Sequence, residues 1–181
     1  SLSTPDWEEG TSIEALSDLA LSRGLPLHVD ACFGGFMMPW LEKLGCKIPL
    51  WDFRVPGVTS ISADIHKYGY CPRGASVVLY RNAELRAHQF FAYPSWPGGL
   101  FGSPAMAGSR PGGMIAAAWT AMVAMGQEGY MNIAKEVLAV TQKIVKVVDA
   151  TKGIRLVRVQ DLGTEARARL RATFSTNIFP M

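Results

Sequence analysis

The chain has 181 residues, enough for one domain or part of one. With 49% hydrophobic residues it is a globular sequence, and a net charge of +3 gives no argument for a nucleic-acid partner. The three cysteines, Cys32, Cys46 and Cys71, are odd in number and lack metal-ligand spacing, so they read as reduced thiols of an intracellular protein with no metal site.

Residues 1–10 are polar and are expected to form a loop. Thr11-Ser-Ile-Glu14 is a capping-box pattern. It predicts an amphipathic helix with Ile13, Leu16, Leu19 and Ala20 on one face, stopped by Gly24 and Pro26. A strand over 27–31 follows and carries Asp30 near its end. The Gly34-Gly35 loop after it is either a close backbone approach to a cofactor or a tight turn before a helix. A short helix is predicted over 36–45, with Pro39 in its first turn. Lys47 to Gly57 is a loop whose Trp51 and Phe53 are expected to anchor the core.

The next stretch organises the chain. Val58 to Ala63 reads as a buried strand, and it runs into a crowd of polar groups: Asp64, His66, Lys67 and Tyr68. Gly69, Pro72 and Gly74 then shape a loop, and Ala75 to Tyr80 is a second strand. Strand, helix, strand is the unit of a parallel α/β sheet. The short step from Lys67 to Ala75 leaves no room for a helical crossover, so that second strand should return antiparallel.

Two readings of Lys67 stand at this point. It is a surface lysine at a strand end, or it is desolvated, with a lowered pKa that makes it a nucleophile towards carbonyls. Asp30 bears on the choice. Open α/β sheets bind ligands at the carboxyl ends of their strands, where Asp30 and Lys67 would share one edge. A lysine and a carboxylate there suit pyridoxal phosphate, which needs an amine for its Schiff base and an acid to keep its pyridine nitrogen protonated.

Residues 81–93 predict a helical turn and then strand-like backbone, with His88 on the surface or at an interface. Pro94 to Gly113 is rich in Gly, Pro and Ser and reads as one long loop. Within it, Ser109 and Arg110 either meet a phosphate or belong to a structural loop with Arg110 in a surface ion pair. Met114 to Gly126 predicts a helix apolar on nearly all sides, buried or at a subunit interface. Its longest apolar run falls short of the roughly 20 residues that span a bilayer, and no signal peptide is visible. Tyr130 to Ala150 continues with Ile133, Val137, Val140, Ile144 and Val148 at helical spacing. Lys152-Gly153 ends that helix, 154–159 is a strand, and 163–181 shows no placeable core pattern. The simplest account is a fragment of a longer chain.

HVDACFGGF (28–36), DFRVPGVTSISADIHKYGYCPRGASVVLY (52–80) and GSRPGG (108–113) resemble the sphingosine-1-phosphate lyase family, within the pyridoxal-phosphate-dependent decarboxylase group of fold type I. The resemblance spans roughly residues 11 to 157. It implies part of a large domain with a mostly parallel sheet flanked by helices (1–128), a linking helix (129–151), and the start of a small C-terminal domain with a divergent tail (152–181). By resemblance, Lys67 is the internal-aldimine lysine, Asp30 pairs the pyridinium nitrogen, and His66 helps to hold the cofactor phosphate. Ser109 and Arg110 would lie at a homodimer interface and help to build the partner's cofactor or substrate-phosphate site. The implied activity is retro-aldol cleavage of a phosphorylated long-chain sphingoid base to a fatty aldehyde and phosphoethanolamine. The complete family member is expected at the cytosolic face of the endoplasmic reticulum membrane; this chain alone reads as cytosolic. The alternatives are an amino-acid decarboxylase of the same fold, or a non-catalytic fragment that associates with an intact subunit.

Overall fold

Helix α1 (Ile13–Arg23) starts where Ser12, in extended backbone, accepts the Ala15 N–H on its hydroxyl at 3.1 Å. The cap is therefore Ser12 and not Thr11, which lies outside the residues described by this computed structural model: 12–105, 108–151, 157 and 161–173. The helix ends as expected at Gly24, which takes the left-handed φ of 62° while Leu25 N–H closes onto the Ala20 carbonyl at 2.9 Å.

The buried face of α1 differs from the one predicted. Ile13, Ser17 and Ala20 are buried, whereas Leu16 and Leu19 are 37% and 53% exposed. The cause is a small-residue contact. Gly57 N–H donates to the buried Ser17 Oγ at 2.8 Å, and a β-carbon at Gly57 would lie only 2.6 Å from that oxygen. Docking the helix through its serine turns the leucines outward.

Strands β1 (Leu27–Asp30), β2 (Val58–Asp64) and β3 (Ser76–Tyr80) form one sheet in that order. β1 and β2 are parallel and β3 returns antiparallel, as the spacing required. Helix α2 (Met38–Lys43) bridges β1 to β2, with Pro39 in its first turn. The Gly34-Gly35 loop forms a tight turn before α2. Gly35 lies so close to β2 that a β-carbon would meet the Ala31 carbonyl at 2.8 Å and Ala63 Cβ at 2.9 Å.

One face of the sheet builds the core. Ile13, Val29, Trp51, Val55, Val58 and Ile61 are buried together, with Phe53 packed at the margin. Each such side chain removed from water stabilises the fold by about 1.5–3 kcal/mol. Arg81 ties the 53–58 segment down: Nε donates to the Val58 carbonyl at 2.7 Å, and Nη2 to those of Val55 and Phe53 at 2.6 and 3.1 Å. Arg54 links the same segment to α2 by a bidentate pair with Glu42 at 2.7 and 3.0 Å.

The 94–113 stretch is not one long loop. After α3 (Ala83–Ala87), β4 (Phe91–Trp96) and β5 (Gly99–Ser103) pair as an antiparallel hairpin. Its aromatic residues carry the ladder: Phe91 and Trp96 both pack on Phe101, with ring centroids 6.1 and 5.9 Å apart. Pro94 falls where the register shifts between Tyr93 and Trp96, so it interrupts no ladder bond there.

Helix α4 (Gly112–Ala150) runs through a kink at Gly126, whose φ of 55° and ψ of −172° are non-helical. Burial along α4 is narrower than expected. Ala118, Tyr130 and Ala134 are buried, but Ile115, Trp119 and Val123 are about 60% exposed, as are Val140 and Ile144 further on. Helical spacing set the period correctly, and the described residues supply little to cover those faces. Ala118 and Met122 pack on Ile65, Cys71 and Ala75 beneath the lysine loop. Residues 164–173, which show no core pattern in the sequence, form an exposed helix α5 (Thr164–Thr173). The strand expected over 154–159 falls outside the described residues, apart from Val157.

Candidate active site

Asp30 ends β1 and Asp64 ends the adjacent parallel strand β2, so both carboxylates emerge at one sheet edge. Lys67 follows three residues after Asp64. Its Nζ lies 2.9 Å from Asp64 Oδ2 and 3.2 Å from Cys32 Sγ, and faces the Phe33 ring at 5.9 Å. Asp30 does not touch Lys67. The two meet through Cys32, whose N–H donates to Asp30 Oδ1 at 3.0 Å while its sulfur receives the lysine.

Of the two readings of Lys67, the electrostatics go against the desolvated one. The Lys67 side chain is one-third exposed, and the hydrogen bond to Asp64, with a lesser one to Cys32, holds its pKa above the ordinary value. Lys67 rests as a paired ammonium. Partial burial works to raise the Asp64 carboxyl, but the hydrogen bond from Ser76 and the Lys67 charge outweigh it and hold it below the usual range. Asp30 is also held low, first by the Cys32 N–H and further by the Ser62 hydroxyl at 3.0 Å.

His66 is locked by one backbone group. Its Nδ1 donates to the Ala75 carbonyl at 2.8 Å, which leaves Nε2 on the site side, 3.7 Å from Asp64 Oδ2.

The loop from 65 to 74 holds Lys67 in place from several directions. Lys67 N–H bonds the Asp64 carbonyl at 3.2 Å, Tyr70 N–H the Lys67 carbonyl at 3.1 Å, and Cys71 N–H the Ile65 carbonyl at 3.3 Å. Tyr70 takes a left-handed φ of 59°, a strained position for a residue with a side chain. From α4, the buried Tyr130 hydroxyl donates to the Gly69 carbonyl at 3.0 Å, and the Tyr130 ring stacks on Trp40 of α2 at 5.6 Å.

Residues 10–164 match the family described as the pyridoxal-dependent decarboxylase conserved domain. The chain belongs to that family. It is 49% identical over 149 residues to the sphingosine-1-phosphate lyase of Saccharomyces cerevisiae, covering 81% of this chain and 25% of that protein. It is 51% identical over 144 residues to the sphingosine-1-phosphate lyase of Arabidopsis thaliana, covering 78% and 26%. The solved sphingosine-1-phosphate lyase of Burkholderia pseudomallei superposes with a TM-score of 0.76 at 48% identity, over 81% of this chain and 33% of that one. The chain thus spans about a quarter of the length of the curated lyases it matches.

The family's cofactor is pyridoxal phosphate, and the donor set here fits it. An accessible amine on Lys67, a carboxylate held ionised on Asp30 and the His66 Nε2, which the backbone does not take, stand at one edge of the sheet.

Ser109 and Arg110 are exposed, and among the described residues neither makes a hydrogen bond or ion pair. They are not brought to Lys67. They precede α4, whose Met114 sulfur would lie 3.4 Å from a β-carbon on Gly74, at the far end of the lysine loop.

Sequence pattern does not single out Cys32, Ser62, Ser76 or Tyr130, and it gives Asp64 no role. A usable signal exists for the strand residues. His28-x-Asp30 and Ser60-x-Ser62-x-Asp64 alternate polar residues on one face of adjacent strands.

Proposed function

We propose that this chain carries the cofactor-attachment part of a pyridoxal-phosphate-dependent carbon-carbon lyase. Its substrate would be a phosphorylated long-chain sphingoid base, cleaved to a fatty aldehyde and phosphoethanolamine. The observation that carries the reading is the emergence of the Lys67 amine and the Asp30 carboxylate from the ends of adjacent parallel strands, linked through Cys32. Similarity to the lyases of yeast and Arabidopsis supports the substrate class.

When bound, the cofactor supplies an electron sink for the charge that develops on the substrate carbon. Lys67 is the covalent anchor. Asp64 keeps the proton on Nζ in the resting protein, so the ion pair must open before the amine attacks a carbonyl. Asp30, ionised and exposed, is the partner for the pyridine nitrogen. His66 Nε2 would meet the phosphate, its other nitrogen being committed to Ala75.

In the same reading the complete protein is a homodimer at the cytosolic face of the endoplasmic reticulum membrane. Ser109 and Arg110 serve the phosphate of the partner's site. The exposed Ile115, Trp119 and Val123 just beyond them support an interface on this side. No helix among the described residues is long and apolar enough to cross a membrane.

Titration of the chain with pyridoxal phosphate tests the anchor. A visible absorption band that disappears in Lys67→Ala supports it, and a band unchanged in that variant overturns it. The family's name favours one alternative, loss of CO2 from an amino acid. Assay of the full-length protein separates the two: fatty aldehyde release supports the lyase, CO2 release the decarboxylase.

A further inference from the structure

The parallel register places His28 opposite Ser60 and Asp30 opposite Ser62, all on one face of the sheet. Their side chains form a continuous path. His28 Nδ1 lies 2.8 Å from Ser60 Oγ, His28 Nε2 lies 3.2 Å from Ser62 Oγ, and Ser62 Oγ lies 3.0 Å from Asp30 Oδ1.

The direction of each bond follows from counting protons. Ionised Asp30 can only accept, so the single Ser62 proton goes to Oδ1. Ser62 has then no proton for His28 and must accept from it, which puts the ring proton on Nε2. With that one ring proton on Nε2, Nδ1 is left to accept the Ser60 hydroxyl. The path runs one way: Ser60 to His28, His28 to Ser62, Ser62 to Asp30. The Cys32 N–H and the Ser62 hydroxyl thus both land on Oδ1, and the Cys32 side chain also bonds the carboxylate.

We propose that Ser62 and His28 are positioning residues for Asp30: Ser62 fixes the rotation of the carboxylate through Oδ1, His28 fixes the Ser62 hydroxyl, and Oδ2 is the oxygen that receives the cofactor's pyridine N–H. This rests on the cofactor role given to Asp30 above, and its test has one arm that needs no cofactor.

In the cofactor-free arm, the His28 tautomer and the Asp30 carboxyl titration are read by NMR on the 181-residue chain. The expected result is a proton on His28 Nε2. Ser62→Ala raises the Asp30 pKa and Ser62→Thr, which keeps the hydroxyl, restores it. A proton on Nδ1, or an Asp30 titration indifferent to Ser62→Ala, overturns the proposal whether or not cofactor binds.

In the second arm, pyridoxal phosphate affinity is measured by equilibrium dialysis. Ser62→Ala weakens binding by about tenfold, the scale of one lost charge-assisted hydrogen bond. His28→Phe weakens it less and adds nothing once Ser62 is alanine, because His28 acts only through that hydroxyl. Independent, additive losses overturn the relay. Absence of binding in the unsubstituted chain counts against the cofactor role of Asp30, and the NMR arm then decides the relay by itself.

Discussion

Tyr130 and Gly69 are joined by a buried 3.0 Å hydrogen bond that fastens helix α4 to the loop carrying Lys67. The Gly69 carbonyl is two residues from the lysine, and Tyr130 reaches it from just past the Gly126 kink. Removing the hydroxyl in Tyr130→Phe leaves that carbonyl without its partner, at a cost of about 1–3 kcal/mol. Thermal unfolding should show a lower Tm, by about 2–4 °C per kcal/mol in a chain of this size. Hydrogen exchange at the Tyr70 and Cys71 amides should quicken more than exchange in β1.

Asp64 raises the pKa of Lys67, and the sign of the pH effect follows from both shifts. The lysine pKa is raised, so its contribution to stability is full below the ordinary lysine value and fades as pH rises through the folded one. The Asp64 pKa is lowered, so its contribution is full above the ordinary carboxylate value and fades as pH falls through the folded one. The pair therefore holds across the neutral range. Asp64→Asn should bring the Lys67 pKa down towards its ordinary value and speed acylation of that amine at mildly alkaline pH, as followed by peptide mass mapping. An unchanged rate would mean that Asp64 does not hold the proton.

Ser17 and Gly57 form the contact that orients α1. Ser17→Ala strips the buried Gly57 N–H of its acceptor and should cost about 1–3 kcal/mol in denaturant unfolding. Gly57→Ala fails for another reason, because its new carbon meets Ser17 Oγ at 2.6 Å and the Ser17 carbonyl at 2.9 Å. Combining the two should recover part of the loss, since alanine at 17 removes the nearer obstacle.

Gly126 is open around its Cα, with no atom within 4 Å of an added β-carbon, yet its φ is 55°. Gly126→Ala should therefore cost about 1–3 kcal/mol from backbone conformation alone. Gly129, four residues from Met125 within the same helix, provides the contrast: alanine there approaches only the Met125 side chain, at 3.2 Å. Helix content by circular dichroism should survive both changes, and Tm should fall more for Gly126→Ala.

The order of strands and helices up to Tyr80, the antiparallel return of β3, the break at Gly126 and the shared edge of Asp30 and Lys67 are all legible in the amino-acid order. Those features follow from local period, from glycine and proline placement, and from a connection too short for a crossover. The remainder depends on contacts between distant parts of the chain. Which face of α1 is buried depends on a serine 40 residues from its glycine partner, and the aromatic hairpin of 91–103 depends on pairing across a stretch dense in breakers. Between the two readings of Lys67 the sequence cannot choose, because the contacts of its amine with Asp64 and Cys32 are not contained in a burial argument made from neighbouring strands. Tyr130, Ser62 and His28 act across gaps of 61, 32 and 34 residues. At such separations periodicity says nothing, and only the register of the sheet and the packing of α4 determine which polar groups meet.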